Sequence, residues 1–369
     1  PLVTDPALRL DVARLNLLAA KRARASLAYD AKLLYLRAGE TCLPEHVWTT
    51  HAALAYQLHL SLAETCSVLS LEEPFQHEVR TLLAHAQTPF DRIRIRIRQT
   101  IHLCQSSQMT EGLTVGCHAL AEVGILVPAP DDTDHIHSMF DREVSRFYAH
   151  VGETDRHQFL LNLPPAQDPI AEQIHRLIGA MGDATTITNS PLLGLLGIIG
   201  TNISLTHGRT SLSPLMYTLL GQGLIRRRAA YAEATALATI ALNLWEQHGQ
   251  DGWAFGRMRV HHAWFILHWS AHIEDILTVA EDALILTRRA HDPIYGGYLL
   301  NIITIALYAM GRGTHQVLAA HARVVAHCKP FPAMEVIVGF TQCYAGAAAA
   351  LRGETTSLTS LDGAFVDEG

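Results

Sequence analysis

Histidine is the residue type best placed to do chemistry in this chain, with 22 copies. The densest group is His261, His262, His268 and His272. The last two stand at i and i+4, the helical spacing that can aim two imidazoles at one metal ion. A hairpin break is expected between them and no H-E-x-x-H glutamate accompanies them, so packing or surface histidines are the expectation. His135 and His137 sit beside Asp131, Asp132 and Asp134, a set that could hold a metal loosely but reads as a solvated polar loop. His118, His157 and His175 fall on helical patterns, yet none has the acidic, exposed setting of a phosphoacceptor.

Other chemistries lack their residues. There is no G-x-x-x-x-G-K-[ST] phosphate loop, and Gly194, Gly197 and Gly200 have the wrong spacing for a dinucleotide site and no preceding strand. The kinase landmarks H-R-D and D-F-G are missing, as is a G-x-S-x-G nucleophile turn. Glu72 and Glu73 form an adjacent pair at a turn, which reads as solvent-facing. Cys42, Cys66, Cys104, Cys117, Cys328 and Cys343 make no C-x-x-C pair and read as buried reduced thiols, as in the cytoplasm. No catalytic, cofactor-binding or metal-ligating residue is therefore assigned, and no cofactor is expected in this chain.

Two basic runs remain. Arginines alternate from Arg92 to Arg98, and Arg226-Arg227-Arg228 ends a helical pattern, with Arg288 and Arg289 equivalent one unit later. Cations at a helix C-terminus complement its dipole, so capping and solvation account for them. The net charge of -7 argues against a nucleic-acid partner.

The elements that must position any site are helices. Hydrophobic residues make up 49% of the 369 and charged residues 17%, enough for a continuous core. At this length two domains or a repeat array is expected. The run from Arg92 to Arg98 has strand-like period 2, but Asp91 can cap a helix after Pro89 and apolar positions continue to Leu103, so it is placed on a helix. Pro191 to Leu205 is too short to span a bilayer and is broken by glycines; it reads as a buried helix.

Internal repetition is the more informative pattern. Breaks followed by Ala-rich helices begin at 230, 271, 313 and 353, spaced by 41, 42 and 40 residues. A fixed period in this range marks a solenoid of one supersecondary unit. Each unit reads as a hairpin. Its first helix covers about Trp253 to Trp269, or Ile294 to Met310, and its second follows the break. Tyr231, Ala234, Ala238 and Ala241 share one face, repeated by Ile276, Ala280 and Ala283, against which Trp264 and Leu267 are expected to pack. Looser breaks fall near Ala28, Pro74 and Met109. The expected fold is all-α, an α-solenoid of antiparallel helix hairpins (TPR-like). Its segments are 1–127 of N-terminal hairpins, 128–213 of less regular helices, 214–353 of C-terminal hairpins with period about 41, and 354–369 of linker or tail.

Certain residues carry a resemblance. They are Ala28-Tyr29-x-Ala31-x-x-x-Tyr35-x-x-Ala38-Gly39, Trp48 opening a long helix, Ala121 to Pro128, Leu161-Asn162-Leu163-Pro164, and His207-Gly208 followed by Ser211 and Tyr217. Over about Asp11 to Gly353 this order resembles the TPR-like helical region of large bacterial multidomain signalling proteins. In that family a serine/threonine-kinase-like domain and an AAA/STAND ATPase precede the helical region, and a GAF domain and a histidine kinase or diguanylate cyclase follow. The resemblance implies that this chain, which starts at Pro1, is an excerpt of a longer cytoplasmic protein. It implies a non-catalytic scaffold relaying contacts between a nucleotide switch and an output domain. ATP and Mg would belong to the neighbouring domains, and the partners would be those ATPase, kinase or GAF domains or a separate protein. The alternative is a small-molecule sensor, its ligand in the apolar region around Pro191 to Tyr217.

Overall fold

The computed structural model describes residues 4–152, 155–248, 251–290, 292–331, 334–357 and 359–367. Among them the chain is all-α, with eighteen α-helices and only isolated bridge pairs of extended backbone. It divides into two compact units, one formed by the chain up to Ile125 and the other mainly from Leu126 onward.

In the first unit, α1 (Pro6–Ala25) pairs with α2 (Tyr29–Glu40). After the single turn α3 (Val47–Thr50), α4 (Ala52–Val68) pairs with α5 (Glu72–His85), and α6 (Pro89–Gln105) with α7 (Met109–Ala121). Helix α2 also packs on α4, and α4 on α6, so each pair buries its apolar face on the next. Leu17, Leu36, Leu58 and Leu62 form one core cluster, and Phe75, Val79, Leu82 and Ile95 another.

The arginine–isoleucine alternation is helical, as the capping signal predicts. Thr88, not Asp91, is the N-cap; Asp91 takes the third helical position and completes a reciprocal capping box. Ile93, Ile95 and Ile97 are all buried because α4, α5 and α7 close on α6 from several sides, giving it a wide apolar face. The arginines are more than solvated. Arg92 and Arg96 pair with Glu122, Arg98 with Glu64, and Arg94 lies over the Tyr56 ring.

The second unit begins with α8 (Thr133–Val151) and the short α9 (Arg156–Leu161). Its hairpins are α10 (Pro169–Ile187) with α11 (Leu192–His207), α12 (Ser213–Arg228) with α13 (Tyr231–His248), α14 (Gly252–Phe265) with α15 (Ile273–Arg289), and α16 (Pro293–Ala309) with α17 (Thr314–Cys328). Helix α18 (Glu335–Ala350) follows. The first helices form a row in which α12 packs on α14, α14 on α16 and α16 on α18, while α13, α15 and α17 flank it. This nearest-neighbour stacking is the hairpin arrangement expected from the period.

The small-residue faces lie inward as expected at Ala234, Ala238, Ala241, Ile276, Ala280 and Ala283, but Tyr231 is exposed. The large residue against Ala234 and Ala238 is Ile266, not Trp264 or Leu267: Trp264 is part-buried on α14, and part-buried Leu267 falls in the 3-10 turn Leu267–Trp269 that follows it. Helix α11 is buried from Leu192 through Ser204, and no helix among the described residues is long and apolar enough to cross a membrane. The polar tail expected to begin a linker folds back: Phe365 sets its edge on the His321 ring, and Thr355 bridges Gly363.

One turn closes most hairpins. Leu27, Ser70, Ser107, Asn189 and Gly311 each follow a first helix with φ between 52° and 65°. The next residue's N–H then bonds a carbonyl five positions back, as from Ala28 to Ala23 (2.9 Å), Gln108 to Leu103 (2.8 Å) and Arg312 to Leu307 (3.0 Å). This is the Schellman closure, in which a left-handed residue lets the chain reverse while the last carbonyls keep donors. Asn189 shows that part of the less regular stretch follows the same plan.

Candidate functional site in the second unit

Helices α10, α14, α16 and α18 leave a cavity of about 500 Å³ between them. Trp264 and Phe265 from α14, Tyr298 and Ile302 from α16, and Phe340 and Tyr344 from α18 supply most of its apolar wall. Ile187 and Phe340 stand at its rim 38% and 39% exposed, a notable cost for large apolar side chains left in water. Gly339 lines the mouth, and a Cβ built there would meet nothing nearer than the Gln342 Oε1 at 3.9 Å.

Its polar lining is sparse. Asp183 on α10 is the one carboxylate, and no Lys, Arg or Glu lines the cavity among the described residues. One Asp183 oxygen accepts a short hydrogen bond from the Tyr295 hydroxyl. Burial raises the Asp183 carboxyl above the usual range, against the pull of Arg257 and the Tyr295 bond. Arg257 places its guanidinium carbon 3.7 Å from the Trp253 ring centre and 4.1 Å from the Tyr295 ring centre, and pairs with Asp292 at 3.2 Å. His261 bonds Gln222 Oε1 at 2.8 Å through Nδ1, and burial holds its pKa down at about 3, so the ring is neutral. Asn301 donates to the Ile337 carbonyl at 3.0 Å, while its buried Oδ1 has no partner.

The other histidines are scattered. His272 is the N-cap of α15, accepting from Glu274 N–H, and His268 lies exposed in the 3-10 turn. His262 is buried beside His261, and burial lowers it to about 4. His175 is fully buried between Thr210 Oγ1 (2.7 Å) and the Gly200 carbonyl (2.9 Å), lowered by burial to about 4; it ties α10 to α11. His135 is exposed next to Asp132, which caps α8; His118 is exposed on α7, and His157 meets Asn243. Glu72 is more than a solvent-facing residue, since it takes a 2.7 Å hydrogen bond from His102.

In the first unit Glu40, His59 and Glu78 bring ligand-type atoms within 4.8 Å of one another. Arg37 already joins both carboxylates at 2.8 Å, and His59 bonds Glu78 at 2.7 Å, so the trio is a hydrogen-bonded tie among α2, α4 and α5. Nucleophilic cysteine chemistry has little to work with, because burial pushes the Cys66, Cys117 and Cys328 thiols up to about 11. Cys343 departs from the expectation of buried thiols: it is exposed and lines the cavity.

The region from Pro191 to Tyr217, where a sensor ligand was expected, is packed too closely for that role at its glycines. A Cβ on Gly197 would stand 2.5 Å from Leu220 N, and one on Gly200 would stand 2.3 Å from Met216 Sδ. Sequence reasoning missed the cavity because its walls come from helices far apart in the chain. Trp264 and Phe265 on a helix otherwise expected to bury its large residues were the available signal.

No family model matches this sequence, and no curated protein matches it. Among solved structures it is similar to a Rap protein complexed with competence and sporulation factor, at 13% identity over 95% of this chain and 98% of that one. The TM-score is 0.30, and a likeness at that level supports no conclusion about function.

Proposed function

We propose that this chain is a non-catalytic docking module whose cavity between α10, α14, α16 and α18 receives an apolar segment of a protein. The observation that carries the reading is that cavity: about 500 Å³, walled by aromatic rings, open at a rim of exposed apolar side chains. The rim continues past it, since Tyr344 pairs with the half-exposed Tyr308 ring at 5.3 Å. An elongated occupant covers both better than a compact one. The relay role between a nucleotide switch and an output domain, implied by the signalling-protein resemblance, belongs to the same proposal.

Selection of a displayed peptide library on the full chain tests it, with Gly339→Leu as the counter-target. A Cβ there meets no atom nearer than 3.9 Å, so the added side chain is chosen to obstruct the cavity lining that Gly339 forms. Selected peptides should bind the unmodified chain, lose at least tenfold on Gly339→Leu, and slow alkylation of Cys343. Peptides indifferent to Gly339→Leu that leave Cys343 as reactive as before would refute the reading.

A further inference from the structure

The charges around the cavity do not balance. Buried Arg257 and the part-buried Asp183 and Asp292 form one charged group with two carboxylates and one guanidinium. The ion pair of Arg257 goes to Asp292, and Asp183 is bonded by a neutral phenol. Resting on the docking reading, we propose that the docked segment inserts a lysine ammonium against the second oxygen of Asp183, with an apolar residue beside it among Trp264, Phe265 and Phe340.

Three features favour this chemistry. Asp183 is the sole charge in the lining among the described residues, and Arg257, whose charge is felt at Asp183, is already paired with Asp292. Aromatic faces beside it attract cations and apolar stems alike. One carboxylate oxygen is already taken by Tyr295, which spoils the two-oxygen fork that arginine prefers and leaves a single acceptor suited to a compact ammonium. A raised Asp183 pKa fits the same picture, since an arriving cation relieves the cost of keeping that carboxylate ionised. The tyrosine pair Tyr308–Tyr344 extends the apolar surface beyond the cavity, which favours a chain segment over a free amine.

Peptides selected as above provide the test. Each is resynthesised with norleucine for lysine, which keeps the stem and removes the charge. Calorimetric titration against the full chain should show a loss of about tenfold or more, the scale of one charge-assisted hydrogen bond. On Asp183→Asn the same replacement should cost less than about twofold. Peptides that respond to Gly339→Leu but bind equally well with norleucine overturn the ammonium anchor while leaving the docking reading intact. Peptides indifferent to Gly339→Leu overturn the docking reading itself. A free aromatic amine such as phenethylamine binding as tightly as the peptides overturns the segment as occupant. The norleucine comparison on the unmodified chain holds whether or not Asp183→Asn folds.

Discussion

The Tyr295 hydroxyl on α16 donates to Asp183 on α10 across 112 positions of sequence. That bond fastens the row of first helices at the edge of the cavity, and it satisfies a carboxylate that burial makes costly to ionise. Tyr295→Phe keeps the ring on Arg257 and deletes only the donor. It should destabilise the second unit by about 1–3 kcal/mol at neutral pH, the usual cost of an unpaired buried polar group. The penalty should shrink in acid, where Asp183 takes up a proton and no longer requires the hydroxyl. Urea unfolding of the variant at two pH values checks both statements.

Acid should weaken the second unit from about pH 6.5 downward, above the range where most unfolded-state carboxylates take up protons. His175, His261 and His262 have folded pKa values of about 4, about 3 and about 4 against an ordinary 6.5. A histidine with a depressed folded pKa contributes stability above pH 6.5 and loses it as pH falls toward the folded value, because the unfolded ring binds the proton first. Arg226 and Arg257 add to the depression at His261, and Arg259 at His262, after burial as the main cause. Asp183 has the opposite sign, since its raised pKa favours the folded state on acidification. The exchange free energy in α10 and α14 should therefore fall between about pH 6.5 and 4, and His261→Gln should flatten that dependence. An exchange free energy constant across this window would contradict the assignment of neutral buried rings.

The Schellman turns offer a cleaner backbone test. Gly311 has φ of 65° and open space around a would-be Cβ, so Gly311→Ala adds conformational strain without a clash. It should cost about 1 kcal/mol. Leu27 adopts φ of 56° with a partly exposed side chain, so Leu27→Gly should be neutral or stabilising by up to about 1 kcal/mol, strain relief exceeding the added unfolded-state entropy. Thermal unfolding should come earlier for Gly311→Ala and be unchanged or later for Leu27→Gly.

Where helices α11 and α12 cross, the prediction is harsher. A Cβ on Gly197 would come 2.5 Å from Leu220 N, a backbone atom that no rotamer change can move. Gly197→Ala should destabilise by about 3 kcal/mol or more through forced separation of the helices. Gly339→Ala, in open space on α18, should instead stabilise by about 0.5–1 kcal/mol through helix propensity alone. Circular dichroism melts of the two variants make the comparison.

How much of this was legible in the sequence follows from where each signal resides. Helix starts carry a local signal, since Asp5-Pro6, Thr88-Pro89, Asp168-Pro169 and Asp292-Pro293 place a capping residue before a proline and each opens a helix. Of these only Pro89 entered the sequence-based expectation, with Asp91 rather than Thr88 as its cap. The hairpin period was legible through Ala234, Ala238, Ala280 and Ala283. The turns behind it were not, because Leu27, Ser70, Ser107, Asn189 and Ala229 share a backbone conformation and no residue type. The site was least visible of all. Asp183 resembles any acidic residue on an amphipathic helix until Tyr295 and Arg257 arrive from two other helices. Only the fold reveals that Trp264 faces a void while Ile266, two positions on, fills the core.

The approach of Gly194 to Gly223, where a Cβ on either would fall within 3 Å of the other's Cα, carries a mechanical consequence. Two backbones in direct touch have no intervening side chains to bend or swap, so α11 and α12 behave as a welded beam. Any flexing of the second unit must be absorbed beside the weld, at the reversals around Asn189 and Ala229. Only the first of these joints borders the cavity, since Asn189 links the weld to α10, so strain from an occupied cavity would reach α11 and α12 through that turn.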